Sequence, residues 1–267
     1  MIAHEARRTL PILGVIHGIA TLSILTGNLL VSLRIPVLSE LAVLLVVVLL
    51  CGTWFASQIW LAHDFWSTGF GERGYLTHSL PVKGSLILRA RLLWAGLIAA
   101  FAAVWMAVMV IVTIPFMVPV MTPGKDGWET LATGLRLVGE VVPLWQLITL
   151  ALLMWFSLWG GQVNLYFAAS LGSTPPLVRL GIAGPILVWA GTWLVTQVLG
   201  FASLLIPLAY TDRGSGMKLE VVNVLEALAV EKDLPFIPVG WIPLVGAGII
   251  AMVIWMRHIW NRRISLW

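Results

Sequence analysis

Residues 86–114 read LILRARLLWAGLIAAFAAVWMAVMVIVTI, and past Arg91 no charged side chain interrupts them. The stretch lacks strict alternation and is too long and too rich in Leu and Ala for a barrel strand. In hydrocarbon only an α-helix or a closed barrel satisfies its own backbone, so this run predicts a membrane-crossing helix. Five further apolar runs behave alike, at 9–32, 36–62, 142–170, 178–210 and 237–259. A bilayer core of about 30 Å needs roughly 20 apolar residues per crossing, and each run is long enough. The composition of the whole chain agrees: of 267 residues, 60% are hydrophobic and 10% charged, where a soluble domain carries about 25% charged residues. Mean hydropathy is +0.97. The expected fold class is all-α, a polytopic membrane protein forming a single transmembrane domain over 1–267.

The run at 178–210 is too long for one upright helix and too short for two crossings with a loop. Charge resolves its parity. With six crossings, the terminal segments and the loops around 63–86 and 171–179 carry ten basic residues, including Arg7, Arg8, Arg73, Lys83, Arg89, Arg91 and Arg179, against Glu5, Asp64 and Glu72. The opposite side carries six basic and nine acidic residues. Lys and Arg mark the cytoplasmic side, so both termini are expected inside. A seventh crossing would put Arg262 and Arg263 outside. The expectation is therefore a fifth helix over 178–198 and a re-entrant segment over 198–210, with Gly200 an inexpensive place to break. The first run follows Arg7 and Arg8 as a signal peptide would, but its length of about 24 residues exceeds a secretory h-region and predicts a retained helix.

Trp60, Trp66 and Trp260 fall near expected inner boundaries and Trp128, Trp145 and Trp241 near outer ones, as interface anchors do. Pro115, Pro119 and Pro123 are expected to end the third helix. Two outer segments show helical stripes: Val221, Val224, Leu225 and Leu228 in 220–230, and Trp128, Leu131, Leu135 and Val138 in 128–140, where Arg136 and Glu140 form an i,i+4 pair. Each predicts a short helix on the outer interface, with covering the bundle favoured over capturing substrate.

Inside the membrane, the first helix is the most informative. At 100° per residue, Gly14, His17, Gly18, Thr21, Leu25, Asn28 and Ser32 share one arc. A small and polar stripe faces protein or water rather than lipid, so it predicts either helix packing or a pathway lining. Gln58, Gln146, Gln162, Asn164, Thr192, Thr196 and Gln197 are further polar points; Gln58 and Thr196 join the first-helix stripe as candidates for a pathway or dimer interface. No carboxylate lies deep in an apolar run, which argues against an ion-coupled secondary transporter, and His17 is what keeps that reading open.

Catalytic chemistry finds no foothold. The five histidines include no i,i+4 pair, and the chain has no G-x-S-x-G elbow and no G-x-x-x-x-G-K-[ST] phosphate cradle. With Cys51 alone, neither a disulfide nor a Cys/His zinc site can form, so no metal ligands and no catalytic residues are assigned. The net charge of +4 is spread along the chain and does not indicate nucleic acid.

The inner loop is the most distinctive stretch: HDFWSTGFGERGYLTHSLPVKGSLILRARLLWAGL, from His63 to Leu97. Phe65, Trp66, Phe70 and Tyr75 would sit in water at a cost unless they meet the bilayer interface or a cytoplasmic partner. Within it, Glu72, Gly74, Tyr75, Leu76, Thr77, Leu80, Pro81 and Val82 form a pattern that resembles the loop after the second helix in bacterial ATP-binding-cassette type 2 permeases. The start, HEARRTLPIL, is similar to that family's opening, and six helices with inside termini also fit. The eight residues before the first span leave little room for that family's elbow helix.

The resemblance implies a permease subunit in a bacterial cytoplasmic membrane, paired with a second permease chain and two separate ATPase subunits. ATP and Mg would be bound by those partners and no cofactor by this chain. It implies that the loop docks on the ATPase through Phe65, Trp66, Phe70, Glu72, Arg73, Tyr75, Leu76, His78 and Leu80, with Gly172 to Pro176 a lesser contact. Export of a drug, an antimicrobial peptide or a lipid-like substrate would follow. A secondary transporter and a membrane-bound enzyme or accessory subunit are the rival classes.

Overall fold

The computed structural model describes residues 1–71, 74, 79, 81–212, 217–226 and 236–262. Among them are seven α-helices: α1 (Ile2–Ser32), α2 (Leu38–Gly69), α3 (Gly84–Met121), α4 (Gly127–Val141), α5 (Leu144–Gly172), α6 (Ala183–Ala202) and α7 (Trp241–Arg262). All but α4 are long and apolar enough to cross a membrane, consistent with a helical multi-pass membrane protein. The chain divides into two compact units, 1–162 and 163–267, with the boundary inside α5.

Several helices overrun the apolar runs that announce them. Residues 2–8 are the first turns of α1 itself, and α2 continues seven residues past the expected end at 62. The helix α3 passes through Pro115 and Pro119 and stops at Met121, where the proline series was expected to end it near 114. Prolines are tolerated inside membrane helices because neighbouring groups satisfy the freed carbonyls. Between α1 and α2 the chain turns sharply: Leu38 N donates to Pro36 O at 2.7 Å across Val37, whose φ is 67°. A β-branched residue adopts that conformation only under strain.

In the first unit, α1, α2 and α3 pack around Ile24, Val46, Leu50 and Met109, with Leu49, Trp105 and Met117 against them. The buried face of α1 is Leu13, His17, Ala20, Ile24, Gly27, Asn28 and Val31. Gly27 is the close approach: a Cβ there would lie 2.5 Å from the Val46 side chain. The helix α4 is capped by Asp126, whose carboxylate accepts from Glu129 N at 2.8 Å, and the expected Arg136–Glu140 pair forms at 2.7 Å. The first half of α5 is tied to α3 by two stacked indoles. Trp155 donates to Gly96 O at 2.8 Å and Trp159 to Leu92 O at 3.0 Å.

In the second unit, the end of α5 packs on α7 through Phe167 against Trp255 and a hydrogen bond from Trp260 to Ser170 Oγ at 3.2 Å. Trp260 is thus a buried interhelical residue, where an interface anchor was expected, because its indole finds a hydroxyl on α5 rather than water. The helix α6 starts at Ala183, not 178. A 3-10 turn over Leu177–Leu180 precedes it, and Gly181 at φ 58° separates the two. Over 198–210, the expected re-entrant segment, α6 runs through Gly200 to Ala202, a 3-10 turn follows at Ser203–Leu205, and a strand begins at Ala209.

That strand, β1 (Ala209–Asp212), pairs antiparallel with β2 (Met217–Glu220) and β3 (Phe236–Pro238) in the order β2-β1-β3, a sheet the all-α expectation did not include. Ala209 faces Glu220 on one side and Pro238 on the other. The sheet draws the end of α6 toward the start of α7, where Gly240 meets Ser203 and Ile206. Of the helix expected over 220–230, residues 224–226 are helical and 227–230 lie outside the described residues.

Candidate functional site

Two Arg–carboxylate pairs meet where α1 begins, α2 ends and α3 begins. Each helix contributes residues three or four apart, so each presents one face: Glu5, Arg8 and Thr9 from α1, Asp64, Phe65 and Thr68 from α2, Arg91 and Trp94 from α3. Arg8 pairs with Glu5 and, at 2.7 Å, with Asp64. Arg91, 2% exposed, lies 3.4 Å from Glu5 through Nε. Its other nitrogens donate to Phe65 O at 3.2 Å and Thr68 Oγ1 at 2.9 Å, and its guanidinium sits 5.3 Å above the Phe65 ring. Trp94 Nε1 donates to Thr9 Oγ1 at 2.9 Å, and Thr9 donates in turn to Glu5 O.

Among the described residues the charges of the cluster, Glu5 and Asp64 against Arg8 and Arg91, sum to zero. A lone charge at this depth would cost several kcal/mol, about the scale on which buried ions are destabilised; two carboxylates matched to two guanidiniums avoid that. Arginine suits the place because its planar fork reaches a carboxylate, a carbonyl and a hydroxyl at once, which a lysine ammonium does not.

The described flanks of the segment between α2 and α3 are fastened by this cluster. Asp64, Phe65 and Thr68 lie just before it and Arg91 just after α3 begins. Of the loop residues assigned to docking, Phe65, Trp66 and Phe70 are described. Phe65 is buried, with Phe70 against it at 6.1 Å, and Trp66 and Phe70 are half-buried. Phe65 therefore supports the loop from inside. Glu72, Arg73, Tyr75, Leu76, His78 and Leu80 lie outside the described residues.

The polar stripe of α1 divides in two. His17 is buried, donates Nδ1–H to Leu13 O at 2.9 Å, and meets Phe101 and Trp105 edge-on at 5.0 and 5.1 Å. Thr21 accepts from Trp105 Nε1 at 2.9 Å, and Asn28 donates to Thr113 Oγ1 at 3.3 Å. These three form a seam between α1 and α3 within one chain. Gly14 and Gly18, by contrast, are exposed, with open space where a side chain would go. Gln58 bonds Leu158 O at 3.1 Å in the first unit, while Thr196 in the second is exposed and bonds Thr192 O. Gln162 is 1% exposed with neither amide atom hydrogen-bonded.

Sequence reasoning missed Glu5, Arg8, Thr9, Asp64, Arg91 and Trp94 as one group. The signal was present in the i,i+3 spacing of Glu5 and Arg8, and in Arg91 standing inside an apolar run. Among the described residues no group of three His, Cys, Asp or Glu side chains is placed to hold a metal ion. No protein family, curated protein or solved structure matches the chain.

Proposed function

We propose that this chain is the permease subunit of an ATP-driven transporter of the ATP-binding-cassette class, acting in a bacterial cytoplasmic membrane with a second permease and separate ATPase subunits. Both termini and the loop after α2 face the cytoplasm in this reading, and the segment after α6 approaches the membrane from the opposite face. The direction is export. The observation that supports it best is the charge cluster that fastens both flanks of the loop to α1. A loop that takes up a push from an ATPase has to be held stiffly to the helices it moves, and buried Arg–carboxylate pairs are directional and costly to break. The sequence of the loop supplies the resemblance; the cluster supplies a way for force at the loop to reach three helices together. Both carboxylates of the cluster are already paired with arginines, so neither is an open ion site of the kind a secondary transporter needs.

The test is co-purification with the ATP-binding-cassette ATPase subunit that this reading requires, expressed together with this chain. Phe70→Ala with Tyr75→Ala is expected to abolish the complex, or to uncouple ATP hydrolysis from transport, while membrane insertion is unchanged. Normal assembly and transport by the double variant would make the loop a membrane-interface anchor and remove the main support for the reading.

A further inference from the structure

The helix α4 has an apolar stripe that the fold leaves open. Trp128, Leu135 and Val138 are 64%, 53% and 41% exposed, and Leu131 is half-buried. A helix that covered the bundle would bury this stripe. The packing of α4 on α3 is instead concentrated at its first turn, where Gly127 lies against the Pro115 backbone so closely that a Cβ would collide, and Trp128 meets Phe116 at 6.2 Å.

These contacts fix the depth of the helix. Pro115 stands 24 residues beyond Arg91 on α3, about 36 Å at 1.5 Å per residue, or about one hydrocarbon thickness of 30 Å from the charge cluster. It also lies six residues, about 9 Å, short of the end of α3, so α4 folds back to the level of the membrane boundary. At its other end only Val142 and Pro143 separate α4 from α5, so its last residue stays within about 11 Å of Leu144. Leu144 and Trp145 are themselves exposed apolar residues. Both ends of α4 are thus pinned at a bilayer surface, and among the described residues the stripe between them is left largely open, with Trp128 against Phe116 at one end.

We propose that α4 is an interfacial helix whose Trp128–Leu131–Leu135–Val138 stripe lies in the headgroup and acyl boundary of the bilayer. The opposite face suits this role. Arg136 and Glu140 neutralise each other at 2.7 Å, and Glu129 and Thr133 share their side of the helix. With Arg136 its only cation, α4 has no electrostatic demand for anionic lipid, so zwitterionic headgroups suffice. This inference is independent of the transport reading.

The test uses the full chain, carrying Cys51→Ser, in vesicles of dioleoylphosphatidylcholine, with nitroxides at single cysteines. At Leu131→Cys, Leu135→Cys and Val138→Cys, collision with oxygen is expected to exceed collision with a water-soluble nickel chelate. At Thr133→Cys and Arg136→Cys the order is expected to reverse. Nickel access at the stripe would place it in water. Exclusion of both reagents there would place it against protein, a second copy or another subunit. Either result overturns the proposal. A second measurement needs no label: Leu135→Arg is expected to lower the thermal midpoint in phosphatidylcholine nanodiscs while Thr133→Arg leaves it unchanged, and equal midpoints would overturn the proposal as well.

Discussion

Removing Arg91 tests whether the charge cluster is a closed, dry network. Arg91→Met keeps the unbranched apolar stem and deletes the guanidinium, leaving Arg8 to face both Glu5 and Asp64. The site then carries one uncompensated negative charge, and Phe65 O and Thr68 Oγ1 lose their donor. Breaking a buried pair in this way costs about 3–5 kcal/mol, and no discount for solvent applies at 2% exposure. Adding Glu5→Gln restores neutrality, because Arg8 and Asp64 still pair at 2.7 Å. The second substitution is therefore expected to recover about 2 kcal/mol or more, a coupling well above the roughly 0.5 kcal/mol within which distant sites add. The assay is equilibrium unfolding of the four members of the cycle in bicelles, each checked for monodispersity. Additive losses, or a loss below about 1 kcal/mol for Arg91→Met alone, would show water screening the pairs and would refute the dry, closed network.

Three further outcomes are expected. Gly27→Leu is expected to destabilise the fold by about 1–3 kcal/mol through overpacking against Val46, whereas Gly18→Leu leaves unfolding unchanged; a loss of chain–chain association on Gly18→Leu with unchanged unfolding would mark the Gly14–Gly18 flank as an interface between chains. Asn28→Ala removes one hydrogen bond to Thr113 and is expected to cost about 0.6–2 kcal/mol, measured in the same bicelles. A cysteine at Glu72 or Ser265, on the Cys51→Ser background, is expected to resist an impermeant thiol reagent applied to intact cells; labelling from outside at either position would invert the topology.

The six long helices were legible because length and hydropathy together admit few other solutions. Which face of each helix turns inward was not. On α1 the expected stripe centres on Gly14, Thr21 and Ser32, while the buried face, centred on Leu13, Ala20 and Ile24, is rotated about 100° from it at 100° per residue. In water, apolar side chains mark the inside. In a bilayer Ala20 and Ile24 suit the core and the lipid equally, so hydropathy loses its sense of direction. Only His17, Thr21 and Asn28, polar enough to need partners, lay near the true face. The strands at 209–212, 217–220 and 236–238 were illegible for a different reason: at three or four residues each they are too short to show alternation.

The charge cluster bears on the topology as well as the site. Arg8 and Arg91 were counted among ten basic residues that favour a cytoplasmic loop, yet in the folded chain both are neutralised by Glu5 and Asp64. Setting the two pairs aside leaves eight basic residues and one acidic on that side, so the net excess of seven is unchanged. The basic count alone narrows to eight against six, and the positive-inside rule reads basic residues rather than net charge. Orientation is decided during insertion, however, before α1, α2 and α3 have packed and while Arg8 and Arg91 still face the translocating environment as separate charges. In the proposed orientation they act twice: as separate charges that hold their ends of α1 and α3 on the cytoplasmic side, and after packing as the pairs that bind those ends to α2. A chain with Arg8 and Arg91 replaced in neutral combination with Glu5 and Asp64 separates the two roles. Net charge and fold neutrality are preserved, and any change in orientation reports the insertion role alone.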